Sequence, residues 1–199
     1  MNWKRGAYPE FTLEDAIAVL FMLKTPTGRK TISEVLELGE GSVRTLLKKL
    51  SALGLIDSTQ RGHSLGKRGE ELVSRLEECF SGVSPVGAVN GYPAYALTVR
   101  KSPEFKSIEL RDEAIRFRAR GAMILLVRGG EPVFPEDGRP LKETMPELVQ
   151  KLSTLKAEEG DLIVITWADN PADAMKSAYH VALTLKGECV PEEIKSLAR

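Results

Sequence analysis

Cysteine, histidine and tryptophan each occur only twice in 199 residues, and aromatic residues make up 6%. Cys79 and Cys189 lie far apart, in no CxxC or histidine-rich setting. With only His63 and His180 beside them, no metal site is expected, and reduced intracellular thiols are the default. A surplus of one charge is missing too. The 28 basic residues balance 28 acidic ones, which removes any bulk attraction for polyanions. No apolar run approaches the roughly eighteen residues needed to span a bilayer. Phe11 to Lys24 is apolar at helical spacing, but Glu14 and Asp15 precede its apolar part. It reads as a core helix and not as a signal peptide. A cytoplasmic protein without membrane contact is the expectation. Also absent are the GxSxG elbow, the P-loop, the Rossmann glycines and paired metal ligands. Catalysis is therefore not expected, and neither is a cofactor.

What is present begins at Thr31. Thr31 and Glu34 have capping-box spacing, and Ile32, Val35 and Leu36 give a short helix its apolar stripe. A turn at Glu37-Leu38-Gly39 leads into a second helix with Val43, Leu46, Leu47, Leu50 and Leu53 on its buried side. That spacing turns Gly41, Ser42, Arg44, Thr45 and Lys48 outward. Gly54 ends the helix, and Leu55 to Thr59 alternates like an edge strand. Gln60-Arg61-Gly62-His63 supplies a turn, Ser64-Leu65 begins the return strand, and Lys67 to Leu76 is a closing helix.

Those residues, covering about the first 80 positions, resemble winged helix-turn-helix transcription regulators. The resemblance rests on Leu36-Glu37-Leu38-Gly39, Ser42-Val43, Leu47-Lys48-Lys49-Leu50, Leu53-Gly54-Leu55-Ile56 and Ser64 to Gly69. Two departures are visible: Glu37 stands where the turn usually has glycine, and Gly39 replaces the hydroxyl cap. Glycine at that cap costs only a few tenths of a kcal/mol, about 0.3, against serine. Glu40 complements the helix dipole but would lie near phosphates. The whole chain also resembles an uncharacterised archaeal family that joins such a module to a C-terminal domain of unknown function. The first resemblance implies double-stranded DNA as partner, with Ser42, Arg44, Thr45 and Lys48 toward the major groove. Lys49, Arg61 and His63 are then expected at the backbone or minor groove.

Local charge agrees with that implication. Between Ser42 and Arg68, six basic residues (Arg44, Lys48, Lys49, Arg61, Lys67, Arg68) face one acid, Asp57, a surplus of five. Just beyond, Glu70, Glu71, Glu77 and Glu78 oppose only Arg75. A solvated helix face explains a charge run taken alone. Its coincidence with a docking surface favours nucleic acid.

A boundary is expected after residue 82, within Phe80 to Gly87, giving domains 1–82 and 83–199. Beyond it Tyr95 to Val99 is strand-like, behind an aromatic turn at Asn90-Gly91-Tyr92-Pro93. Glu109 to Ala119 reads as a helix. Ala122 to Val127 reads as a strand covered on both faces, followed by a hairpin at Arg128 to Glu131. A helix from about Thr144 to Lys156, a strand from Asp161 to Trp167 and a helix from Pro171 to Lys186 complete the pattern. The fold class is α+β overall: a winged helix-turn-helix followed by an α/β layer domain with a small mixed sheet.

In that domain Trp167, Asp169 and Asn170 stand at a strand end before a helix, where open α/β sheets bind ligands. They are the candidate site for a small-molecule effector. Ordinary capping by Asn170, Pro171 and Asp173 explains the same residues. His180 shares a polar helical stripe with Asp173, Lys176, Ser177 and Thr184 and reads as a surface residue. Arg116, Arg118 and Arg120 suit a solvated face, an anionic effector pocket or a second phosphate contact. Tyr92, Tyr95 and Trp167 suit packing better than stacking on bases. The reading is a DNA-binding regulator, expected as a homodimer because one short helix reads too few bases. Two alternatives stay open: a winged helix that binds protein, and a small-molecule enzyme in the C-terminal domain.

Overall fold

The computed structural model describes residues 10–199, and its architecture is α+β. It forms two compact units. The first runs through Val73 and takes back Pro191–Arg199; the second is Ser74–Val190. The division therefore falls inside a helix, not in the loop after residue 82, and the last residues belong with the first unit.

In the first unit, α1 (Leu13–Met22) is capped by Thr12, whose hydroxyl accepts from the Asp15 N–H while the Asp15 carboxylate accepts from the Thr12 N–H. Its apolar positions, including Ile17 and Leu20, are fully buried. The next helix, α2 (Arg29–Leu36), starts at Gly28, so Thr31 lies inside it and the expected Thr31–Glu34 capping box does not form. Val35 faces outward, 36% exposed, and Ile32 and Leu36 alone carry that stripe. Glu37 ends the helix in the left-handed region, at φ 50°. Helix α3 (Glu40–Ala52) buries Val43, Leu46, Leu47 and Leu50, and Gly54 takes the positive φ that lets the chain turn back.

Strands β1 (Ile56–Thr59) and β2 (Gly62–Leu65) pair antiparallel with Ser58 opposite His63. The return strand thus starts two residues before Ser64. Thr27 exchanges both backbone hydrogen bonds with His63, each 2.9 Å. A Cβ at Gly62 would lie 2.6 Å from the Thr27 carbonyl, so this close approach needs glycine. Helix α4 (Lys67–Glu77) follows, and the chain returns after Pro191 as α8 (Glu192–Lys195), packed with the final turn against α1.

The second unit contains β3 (Ser84–Val89), β4 (Tyr92–Val99), α5 (Ser107–Arg116), β5 (Gly121–Arg128), β6 (Glu131–Val133), α6 (Pro146–Leu152), β7 (Leu162–Trp167) and α7 (Pro171–Lys186). Sheet order is β3-β4-β7-β5-β6, and every neighbouring pair is antiparallel. The expected mixed sheet is therefore corrected to an antiparallel one. The apolar runs of β5 and β7 arise because both sheet faces are covered, which parallel pairing was not needed to explain. Val86, Ala96, Leu125, Ile163 and Ile165 pack on Leu148, Leu152 and Leu155 around α6. The alternate residues meet α5 and α7, where Thr166 donates to the Ala174 carbonyl at 2.6 Å. Tyr179, fully buried, accepts from the Val83 N–H at 3.2 Å.

Cys79 and Cys189 form a disulfide, which overturns the expectation of free thiols. Phe80 bridges Val99 on β4, and α7 packs on β4, so the fold brings the two ends of this unit together. A separation of 110 residues hid that proximity from any spacing rule.

Candidate nucleic-acid interface

Arg44, Lys48 and Ser51 recur on one flank of α3, three or four residues apart, beside its buried stripe. The strand pairing sets His63 opposite Ser58, and the His63 Nδ1 lies 3.2 Å from the Ser58 hydroxyl. Between α3 and this hairpin runs a cleft of about 300 Å³. Arg44, Lys48, His63 and Arg29 line it over a floor of Leu47 and Ile56, with Ser51 and Ser58 on its walls. Among the described residues Arg29, Arg44 and Lys48 make no side-chain hydrogen bond or ion pair. Three exposed cations thus line one cleft, and none of them is in an ion pair with a carboxylate.

The seven residues expected at such a surface divide into groups. Arg44, Lys48 and His63 come together in the cleft. Ser42 and Thr45 lie on the same helix outside it, and Thr45 spends its hydroxyl on the Gly41 carbonyl at 3.0 Å. Arg61 is exposed at the hairpin turn. Lys49 is turned elsewhere: its ammonium donates to the Leu197 carbonyl at 2.9 Å and lies 5.4 Å from the centre of the Phe11 ring. Lys49 therefore does not line the cleft, and one of its ammonium donors is taken by this packing contact. Arg68 is similarly committed, to the Leu53 carbonyl and Glu193. Arg29 was missed because the misplaced capping box left it outside the helix. Ser51 follows Arg44 by seven residues, and that spacing was the signal that could have found it.

Trp167, Asp169 and Asn170 have structural partners. The Trp167 ring packs where a Gly121 side chain would stand. Asp169 accepts from Arg120 at both oxygens, 2.8 and 3.1 Å, and this guanidinium holds its carboxyl below the usual range. Asn170 caps α7 by accepting from the Asp173 N–H at 2.8 Å. Arg116 pairs with Glu113 and Arg118 approaches Asp173. His180 is not a free surface residue. It stacks on Phe117 and hydrogen-bonds Glu113 at 3.0 Å, which lowers the Glu113 pKa. Ser177, placed by its spacing on the polar stripe, is fully buried, and its single hydroxyl proton lies within reach of the Phe117 and Asp173 carbonyls, 2.8 and 2.6 Å away. The described residues contain no group of acids, histidines and cysteines able to hold a metal and no helix long and apolar enough to cross a membrane.

Residues 12–71 match a family described as PH0730-like, N-terminal domain, and residues 91–185 match a domain of unknown function, DUF4443. The chain is also similar to a solved structure, hypothetical protein PH0730 from Pyrococcus horikoshii OT3. The two are 56% identical, the match covers 94% of this chain and all of the other, and the TM-score is 0.89. The chain belongs to the PH0730-like family. Among curated proteins none matches it. Every residue lining the cleft falls inside the PH0730-like N-terminal segment, whereas Trp167, Asp169 and Asn170 fall inside the DUF4443 segment.

Proposed function

We propose that this protein is a DNA-binding transcriptional regulator whose first unit is a winged helix. The observation that carries the reading is the cleft in which Arg29, Arg44 and Lys48 stand without acidic partners beside His63. Unneutralised cations cost little in water, and they gain when they displace the counterions condensed on a duplex. Arg44, Lys48, Ser42 and Thr45 face the major groove from α3, while Arg29 and His63 from the cleft and Arg61 from the hairpin turn contact backbone.

The regulator acts in the cytoplasm as a homodimer on a palindromic site, since a single α3 reads too few base pairs. Edge-to-edge pairing of the five-stranded sheet is disfavoured in that dimer, because both edges of this sheet are blunted. β3 carries Pro85 and a bulge, and β6 has three residues including Pro132.

Selection of genomic fragments on the full chain, followed by titration at several salt concentrations, tests the reading. Sequence-selective retention whose salt slope drops by roughly one phosphate equivalent in Arg29→Ala supports it. Absence of retention on any duplex at low salt would overturn it.

A further inference from the structure

A second pocket lies wholly within the second unit and is independent of the DNA reading. It starts from an irregularity in the sheet. Pro85 pairs with Tyr95 and Ala88 with Pro93, so β3 advances three residues while β4 advances two. The extra residue makes a bulge at Val86-Gly87, with Gly87 at φ +81°. The bulge opens a pocket of about 320 Å³ between β3 and α6. Val86, Met145 and Leu148 give it apolar walls continuous with the core beneath, and Thr144, Glu147 and Lys151 supply its polar groups.

The position of Lys151 is the informative one. A Cβ on Gly87 would stand 2.6 Å from its Nζ, so the ammonium rests in the space that this glycine leaves empty. There it makes no side-chain hydrogen bond or ion pair among the described residues. Glu147 lies one helical turn earlier on the same face, also lines the pocket, and does not pair with Lys151. An unspent ammonium beside an apolar wall matches a ligand with one anionic end and an apolar body. A phosphorylated ligand fits badly, because one cation cannot offset its charge and Glu147 repels it. A hydrocarbon would leave the ammonium unanswered. Glu147, in turn, suits an amino group on the carbon next to a carboxylate.

We propose that this pocket binds a small apolar monocarboxylate, its carboxylate on Lys151 and its apolar body against Val86, Met145 and Leu148. The carboxylate comes from an amino acid if Glu147 takes part, or from a simple organic acid if it does not.

Calorimetry on the full chain with L-leucine, L-phenylalanine, 4-methylpentanoate and 3-phenylpropanoate tests this, with inorganic phosphate as control. Saturable binding of at least one carboxylate is expected, weakened about 10-fold or more in Lys151→Met and unchanged in Lys106→Met, a substitution on the exposed start of α5. Glu147→Gln separates the two sources: it weakens leucine and spares 4-methylpentanoate only if the amine is recognised, and either result fits a Lys151 anchor. The proposal is overturned if none of the four binds at about 10 mM, if Lys151→Met binds as the wild type does, or if phosphate binds as tightly. Since Lys151 is exposed, its replacement leaves folding intact. None of these readouts depends on DNA, so this pocket and the DNA cleft can fail separately.

Discussion

The cleft cations of the first unit and five arginines of the second meet opposite fates. Arg29, Arg44 and Lys48 of the first unit gather around one cleft with no acid among them. In the second, Arg100, Arg111, Arg116, Arg118 and Arg120 each reach a carboxylate: Asp161, Glu136, Glu113, Asp173 and Asp169. A paired surface arginine is close to neutral in energy and holds local geometry. An unpaired cluster adds nothing to the fold and is repelled within itself, so its use lies in what it can attract. The same contrast holds for cross-linking, because the only disulfide among the described residues lies in the second unit.

The largest test of this contrast removes the free cations together. Arg29→Ala/Arg44→Ala/Lys48→Ala should weaken duplex binding by about 100-fold or more and cut the salt slope by two to three phosphate equivalents. Within that set, Arg44→Ala alone should relax sequence preference if it reads a base. Equal losses on specific and random DNA, measured by anisotropy, would make it a phosphate contact instead. The second test cuts the cross-link. Cys79→Ser/Cys189→Ser should cost the second unit about 2–5 kcal/mol, because the closed loop is long. Denaturant unfolding of oxidised and double-mutant proteins would show it.

Lys49→Ala sharpens the boundary between the two kinds of cation. Losing its bond to Leu197 and its place over Phe11 should lower stability by about 1–2 kcal/mol and leave the salt slope of DNA binding unchanged. A slope reduced by a full phosphate equivalent would return Lys49 to the interface. A smaller effect concerns acid. The His180 hydrogen bond depresses the pKa of Glu113, so its contribution is present above the ordinary value of 4.5 and is lost as pH falls through the lower folded value. His180→Ala should flatten the loss of stability below pH 4.5, as followed by thermal unfolding across pH. Smallest of all, Arg118→Ala and Arg120→Ala should leave DNA binding and its salt dependence unchanged, since both side chains already face carboxylates.

Much of this was legible along the chain, for local reasons. The stripe of α3, the stop at Gly54 and the cap of α7 at Asn170 each depend on residues within one or two helical turns. The cleft was only partly legible. Arg44 and Lys48 follow from helical spacing and His63 from the hairpin, but Arg29 required knowing where α2 begins. With Gly28 as cap, no side chain marks that start.

By itself, the sequence determined most of the helices, the turn at Gly54, the basic segment from Arg44 to Arg68 and the two buried strands, since periodicity and turn chemistry act over short distances. Only the tertiary structure decided that β7 enters between β4 and β5, that Cys79 meets Cys189, and that Lys49 ends on Leu197 while Arg29 joins the cleft. Each of those pairings spans a stretch of chain over which side-chain pattern carries no distance. Packing both faces of one sheet, and closing the C-terminal residues back onto the first unit, is what selected them.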